Sequence, residues 1–289
     1  MRAPRASTAG VDRLQLPPAS LQGALVALLT RDTRTLALDP AQRISHFPAS
    51  PLVTLSWYRG MDVGLIGADQ RWQSLGSDVV ISGSQSQPLV SWAPTTGWGA
   101  MACFNADAAQ ALFGVDLAAI QDRFVTVERA VEAAFAPLWQ ALRSCPDDVL
   151  MGVLEQHLAP RWQALQGRTT AQASLRQLGR NWVERLAWQA QDWSRTHSAR
   201  HVERRIKAFT GRSLREWQSL VRTEGLFFAA RDRHESGQHF DWAGLAHEQG
   251  FADQAHMNRM AKRITGFAPG EFAQRFIEDE SFWVYRLWV

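Results

Sequence analysis

The sequence predicts an α+β protein: a β-rich N-terminal half closed by helices, followed by an all-α C-terminal half. Three observations carry this. Short β-branched and aromatic patches, parted by Gly, Ser, Asp and Pro, crowd residues 52–104. From Asp107 onward the patterning turns helical and stays so. The charge changes with it. Residues 1–167 hold 12 Arg against 14 Asp and Glu, whereas residues 168–277 hold 18 Lys and Arg against 11 Asp and Glu. A basic segment beside a near-neutral one points to contact between one part of the chain and a polyanion.

The 289 residues are enough for two domains, and 46% hydrophobic with 20% charged residues is the composition of a folded chain. Residues 1–20, with Pro4, Pro17 and Pro18, read as a loose tail. Arg2 and Arg5 ahead of the apolar run Leu25–Leu29 imitate a secretory signal. Asp12, Arg13 and two prolines intervene, however, and no small-x-small site follows. No apolar run approaches the ~20 residues that span a bilayer. Two cysteines, Cys103 and Cys145, form no CxxC pair or disulfide framework. A cytoplasmic protein without membrane attachment is expected.

The strand signals are "LVTLSWY" from Leu52, "DVGLIG" from Asp62, "SDVVISG" from Ser77, "PLVSWAP" from Pro88 and "WGAMACF" from Trp98. Helical patterning starts at "DAAQALFGVDLAAI", 107–120, and continues through "FAPLWQALRSC" and "VLMGVLEQHLAPRWQALQ". "QGRTTAQAS", 166–174, reads as a linker. The expected units are a tail over 1–20, a first domain over 21–167, a helical domain over 168–277 and an aromatic C-terminal tail over 278–289.

Within the helical domain, "SARHVERRIKAFTGRSLREW" from Ser198 and "DQAHMNRMAKRITGFAPGEF" from Asp253 resemble each other. Each opens on a helix cap, Ser198 or Asp253. Val202, Ile206 and Phe209 match Met257, Ala261 and Ile264 as one inward stripe. Each ends in Thr-Gly, where Gly211 or Gly266 can adopt the left-handed conformation that stops a helix. A duplicated helical unit is the economical explanation. The second copy follows "FDWAGLAHEQG", a helix capped by Asp241 with Trp242, Leu245 and Ala246 on its apolar side. Gly250 makes the turn, and Phe251 staples the next helix. Helix, tight turn and helix with a polar outer face is helix-turn-helix logic, in which the second helix enters the major groove. Gln254 and Asn258 suit adenine and Arg259 suits guanine, while Lys262 and Arg263 suit phosphate.

The stretch "GLAHEQGFADQAHMNRMAKRITGFAPGEF" from Gly244 resembles the AraC-type (AraC/XylS) transcription regulators. "HVERRIKAFTGRSLREW" is similar to that family's first recognition helix and "LVRTEGLFFAARDR" to its linker helix. The resemblance implies two helix-turn-helix units joined by a long helix. It places Arg200, Glu203 and Arg204, with Lys207 on the same helix, toward one groove. It places Gln254, Ala255, Asn258 and Arg259, with Lys262, toward the next. It further implies double-stranded DNA as partner, a small-molecule effector or a second copy of the chain acting on a sensing or dimerisation domain, and no catalytic, metal or cofactor site. "HFPASPLVTLSWY" and "CFNADAAQALFGVDLAAIQDRFVTV" look like the cupin-like effector domain of some of these regulators. Two positions depart from the family: Asp192 and Thr196 stand where the first unit's small-residue and glycine turn belongs, and Ala261 replaces a phenylalanine.

Other residues weigh less. Cys103 and Cys145 read as inert thiols, since neither lies among basic residues in the sequence. His197 and His201 are one helical turn apart but lack a third ligand. His256 lies beside the groove-facing set. Trp57, Trp72, Trp92 and Trp98 can fill a core or line a pocket. No Walker loop, dinucleotide fingerprint or nucleophile elbow occurs. A cupin-like metal enzyme is the first rival reading, opposed by His46 being the single histidine in 40–105. An interaction module that no longer reads DNA is the second.

Overall fold

The computed structural model describes residues 3–6, 11–165, 175–236, 242–248 and 253–287. Ten strands run in two sheets: β1 (Val11–Gln15), β2 (Leu25–Asp32), β3 (Ile44–Phe47), β4 (Val53–Arg59), β5 (Gly64–Ile66), β6 (Trp72–Ser74), β7 (Val79–Ser82), β8 (Leu89–Trp92), β9 (Trp98–Phe104) and β10 (Phe124–Thr126). One sheet has six strands in the order β1-β2-β9-β4-β7-β10; the other has four, β3-β8-β5-β6. Every named pairing is antiparallel, with Leu29 opposite Met101 and Trp57 opposite Ala100.

Alternation along the strands sends side chains to two different cores. On one face of the large sheet, Leu28, Leu55, Trp57, Ile81, Trp98 and Phe104 pack on the helices that follow it. These are α1 (Ala106–Phe113), α2 (Leu117–Ile120), α3 (Val127–Ala130), α4 (Ala136–Ser144) and α5 (Leu150–Ala164). Leu112, Phe113, Trp139, Leu142, Leu154 and Leu158 supply their side. The other face carries a smaller cluster in which Val26, Ala27, Leu29, Leu52 and Cys103 meet Trp283 and Val284 from the C-terminus.

The second half contains only helices among its described residues: α6 (Leu175–Ser194), α7 (Ala199–Thr210), α8 (Leu214–Glu235), α9 (Trp242–Glu248), α10 (Gln254–Thr265), α11 (Pro269–Glu278) and α12 (Trp283–Leu287). The α+β organisation expected from the sequence is the one observed.

Several expectations need correcting. Residues 1–20 are not wholly a loose tail, because Val11–Gln15 pairs with β2. Pro4 forms a bridge with Asp279, and Arg5 N donates to Glu278 O at 3.1 Å. Residues 279–285, by contrast, dock on protein, as the crowd of large apolar side chains near the C-terminus leads one to expect. Asp279, Glu280, Ser281, Phe282, Trp283, Val284 and Tyr285 are buried, because four consecutive apolar side chains, Phe282 to Tyr285, must find cover. Residues 107–120 form two helices, the second capped by Asp116, whose carboxylate accepts from Ala118 N and Ala119 N. The 166–174 linker lies outside the described residues, as do Asp241, Gly250 and Phe251 of the second turn.

Candidate nucleic-acid interface

The two recognition candidates, α7 and α10, are built alike at every terminus. Ser198 caps α7 by accepting from His201 N, and Asp253 caps α10 by accepting from His256 N at 2.6 Å. At the other end Gly211 and Gly266 take φ +79 and +85. In an L-residue, Cβ would clash in that region, so glycine stands at both stops. The threonines before them repeat one further pattern. Thr210 Oγ1 donates to Ile206 O (2.8 Å) or to Arg212 O (2.9 Å), and Thr265 Oγ1 to Ala261 O (2.8 Å) or to Phe267 O (3.1 Å). Trp217 and Phe272, buried at matched places, follow. The common spacing of 55 residues holds through cap, stop and anchor.

The inward stripes are Val202, Ile206 and Thr210 in α7, and Met257, Ala261, Ile264 and Thr265 in α10. Phe209 departs from the expected stripe: it is 43% exposed, whereas its counterpart Ile264 is 2% exposed. The difference is tertiary, since Ala49 of the β-rich half reaches Ile264 and donates to its carbonyl at 2.7 Å. Ala261 is fully buried, so the place of the missing phenylalanine is closed by packing around a methyl group, with Met260 against the main core.

The outward faces carry the candidate contact residues. Arg200, Glu203, Arg204 and Lys207 are exposed on α7, and so are Gln254, Ala255, Asn258, Arg259 and Lys262 on α10. The first unit's turn, 195–198, forms without glycine: Arg195 N and Thr196 N donate to Asp192 O and Trp193 O, and Arg205 lies 4.1 Å over the Trp193 ring. Arg204 Nη2 stands 3.3 Å from His201 Nδ1. The His197 and His201 rings are 4.5 Å apart, and no cluster of three potential metal ligands occurs among the described residues.

A feature that sequence reasoning missed fixes where these helices sit. Arg212, directly after the first stop, has a side chain only 3% exposed and runs into the β-rich half. Its Nε donates to Ser84 Oγ (3.0 Å) and its Nη2 to Ser84 O (2.7 Å), with Asp122 Oδ1 at 3.2 Å. Burial works against the Asp122 carboxylate, but the Ser86 amide and the Arg212 charge outweigh it and hold its pKa below the ordinary value. Burial holds Arg212 below its ordinary value, and Asp122 partly offsets this. Gly211 lies against Gln121 and Ala118, and Gly266 against Pro88. Segments 84–88 and 118–122 are themselves joined, Asp122 N donating to Ser84 O and Ser86 N to Asp122 Oδ1. One patch of the β-rich half thus receives the C-terminal ends of both α7 and α10. An arginine after Thr-Gly gave no sequence signal for this.

No family model and no curated protein matches the chain. Among solved structures, ToxT from Vibrio cholerae aligns at 12% identity and TM-score 0.38, over 79% of this chain and 96% of that one. ToxT from strain O395 aligns at 11% identity and TM-score 0.38, over 81% and 95%. An unsaturated fatty acid bound ToxT aligns at 11% and 0.37, over 81% and 95%. Likeness of this degree assigns no function.

The remaining candidates resolve by burial. Trp57 and Trp98 are core residues, 6.3 Å apart between ring centres, and Arg59 lies over Trp98. Trp92 lines a cavity between the two sheets, with Trp72 edge-on to it at 5.9 Å. Cys145 does lie beside a basic group, contrary to the sequence reading: Arg59 Nη2 is 3.7 Å from its Sγ. That guanidinium is also paired with Asp147 at 2.8 Å, which divides its charge. Among the described residues no helix is long and apolar enough to cross a membrane.

Proposed function

We propose that the chain is a sequence-specific DNA-binding transcription regulator, controlled by a ligand or partner acting on its β-rich half. The observation that carries this reading is the repeated helix. Two helices 55 residues apart share cap, inward stripe, Thr-Gly stop and buried aromatic anchor, yet keep polar and basic outer faces. Fold stability accounts for the shared inner features and demands nothing of the outer ones. Outer faces rich in Arg, Lys, Asn and Gln are what base edges and phosphates select.

In this reading Gln254, Asn258 and Arg259 read bases, with Ala255 packing near a thymine methyl, and Lys262 meets phosphate. Arg200, Glu203, Arg204 and Lys207 do the equivalent work from α7. Control follows from the shared patch at 84–88 and 118–122. A ligand that favours one arrangement of the β-rich half shifts the helix pair only through a difference in affinity between the arrangements.

Selection of bound duplexes from a random pool tests the proposal. Enrichment of one sequence, bound more tightly than bulk DNA with affinity falling as salt rises, supports it. Recovery of the pool unchanged, or no retention of DNA at low salt, would leave an interaction module instead.

A further inference from the structure

The turn before α7 and the first turn of that helix bring two imidazoles together. His197 precedes the cap Ser198, and His201 is the third residue of the helix. Their ring centres are 4.5 Å apart. His197 is exposed and His201 half-buried, beside the exposed Arg200 and Arg204. Thr196 Oγ1 shares a hydrogen bond with His197 Nδ1 at 2.7 Å, and Arg204 Nη2 donates to His201 Nδ1 at 3.3 Å. Both Nδ1 atoms are thus engaged within the protein, while neither Nε2 has a partner among the described residues.

The chemistry of the pair follows from Arg204. A guanidinium only donates, so His201 Nδ1 accepts and the neutral ring carries its hydrogen on Nε2. A metal ion would need a lone pair at that nitrogen instead. Protonating Nδ1 breaks the Arg204 bond and adds a positive charge among others. The charges around the pair are Arg204 and Arg205 on α7 and, on the turn, Asp192 with its partner Arg195 at 3.6 Å. Glu216 of α8 faces Lys207 and Arg212, at the far end of α7. Partial desolvation first, then His197, Arg204 and Arg205, hold the His201 pKa below its ordinary value. The positive end of the α7 dipole acts in the same sense. A phosphate against the two Nε2 atoms reverses this balance, because its charge favours the imidazolium and its oxygens accept from it. At the matching places of the second unit stand Ala252 and His256, so the pair belongs to the first unit alone.

We propose that His197 and His201 form a proton-linked phosphate clamp in the first helix-turn-helix unit, so that the chain takes up a proton when it binds duplex DNA. The inference rests on the DNA-binding reading and adds to it a site and a dependence on pH. The sign follows from the two states. Free, the pair is held neutral; bound, its affinity for protons rises. The added DNA affinity is therefore full below the free-state value, which for His201 lies under about 6.5, and is lost as pH rises through the bound-state value. Arg200 and Arg204 stay charged throughout and supply attraction that pH leaves alone.

The test is fluorescence anisotropy of the full chain with a mixed-sequence DNA duplex, from about pH 5.5 to about pH 8 at one salt concentration. Calorimetry in two buffers of different ionisation enthalpy counts the protons, and circular dichroism confirms the fold across the range. The expected result is binding about three- to tenfold tighter at the acid end, with roughly half a proton or more taken up near pH 6.5. The His201 ring, followed by NMR, should titrate at higher pH once duplex is added. His201→Gln keeps a donor in place and should flatten the profile to within about twofold. His197→Gln should lessen the slope, and His256→Gln should keep the parent's slope whatever it does to affinity. A flat profile, no proton uptake, or a slope that survives His201→Gln overturns the clamp and leaves DNA binding standing. A slope that His201→Gln abolishes upholds the clamp even if no sequence is enriched from a random pool, and the regulator reading then falls alone. No retention of duplex at either end of the range ends both.

Discussion

Arg212→Met tests the seat of the two helices on the β-rich half. The side chain is 3% exposed and gives two short hydrogen bonds to Ser84 and a third to Asp122. Methionine fills similar space but donates nothing. The two Ser84 bonds are each worth about 1–2 kcal/mol, because they are made by a charged donor in a buried place. The Asp122 pair adds less, about 0.5 kcal/mol, since that carboxylate is 39% exposed and recovers water when the arginine goes. The Ser84 carbonyl stays buried and loses its partner, which keeps the cost from falling to the exposed-pair level. The sum is about 3 kcal/mol, a fall of roughly 5–10 °C in melting temperature for a chain of this size that unfolds as one. Differential scanning calorimetry measures it. Asp122→Ala alone should cost under about 1 kcal/mol, and the double variant should cost no more than Arg212→Met within about 0.5 kcal/mol. If Arg212→Met shifts the melting temperature by less than a degree, the seat is not held by this arginine. If the shift is large but the two substitutions add fully, Asp122 is not part of it.

Further outcomes follow from the same contacts. Arg259→Ala should weaken binding to the selected DNA site by about 1–3 kcal/mol more than binding to random duplex, whereas Lys262→Ala should weaken both alike and reduce the salt slope by about one; fluorescence anisotropy across salt separates them, and equal losses for Arg259→Ala would end its base-reading role. His46, packed on Phe267 and Phe282, is pushed down to about 4 by burial first, Asp279 opposing it. Because the folded form binds its proton less readily than the unfolded chain does, stability should be full above about pH 6.5 and fall by up to about 3 kcal/mol as pH drops toward 4. His46→Phe should flatten that part of a stability–pH curve measured by urea titration, and an unchanged curve would remove His46 as its cause. Deleting residues 281–289 should uncover Val26, Leu29 and Leu52 and raise dye binding to apolar surface, with a melting temperature lower by several degrees. An unaltered melting temperature and no added dye binding would contradict docking of the segment.

The sequence by itself determined what local physics controls. Alternation in "LVTLSWY" and "WGAMACF" places β4 and β9, and caps and Thr-Gly stops bound α7 and α10 to within a residue. Those signals survive because caps, stops and period are decided within one turn or one strand. The exposed face of each repeated helix, from Arg200 to Lys207 and from Gln254 to Lys262, was legible for the same reason. Residues 25–32 were not legible as a strand. An unbroken apolar run has no period, and only pairing with β1 and β9 makes it the buried interior of a sheet. Val11–Gln15 likewise becomes a strand through a partner, not through its own pattern. Phe209 and Ile264 hold equivalent helical positions, and tertiary cover alone separates them. The Arg212 seat and the docked Trp283 join groups 128 and 238 residues apart, through Ser84 and Ser45. Neither follows from spacing, because long-range contacts depend on how the layers come together after every local rule has been obeyed.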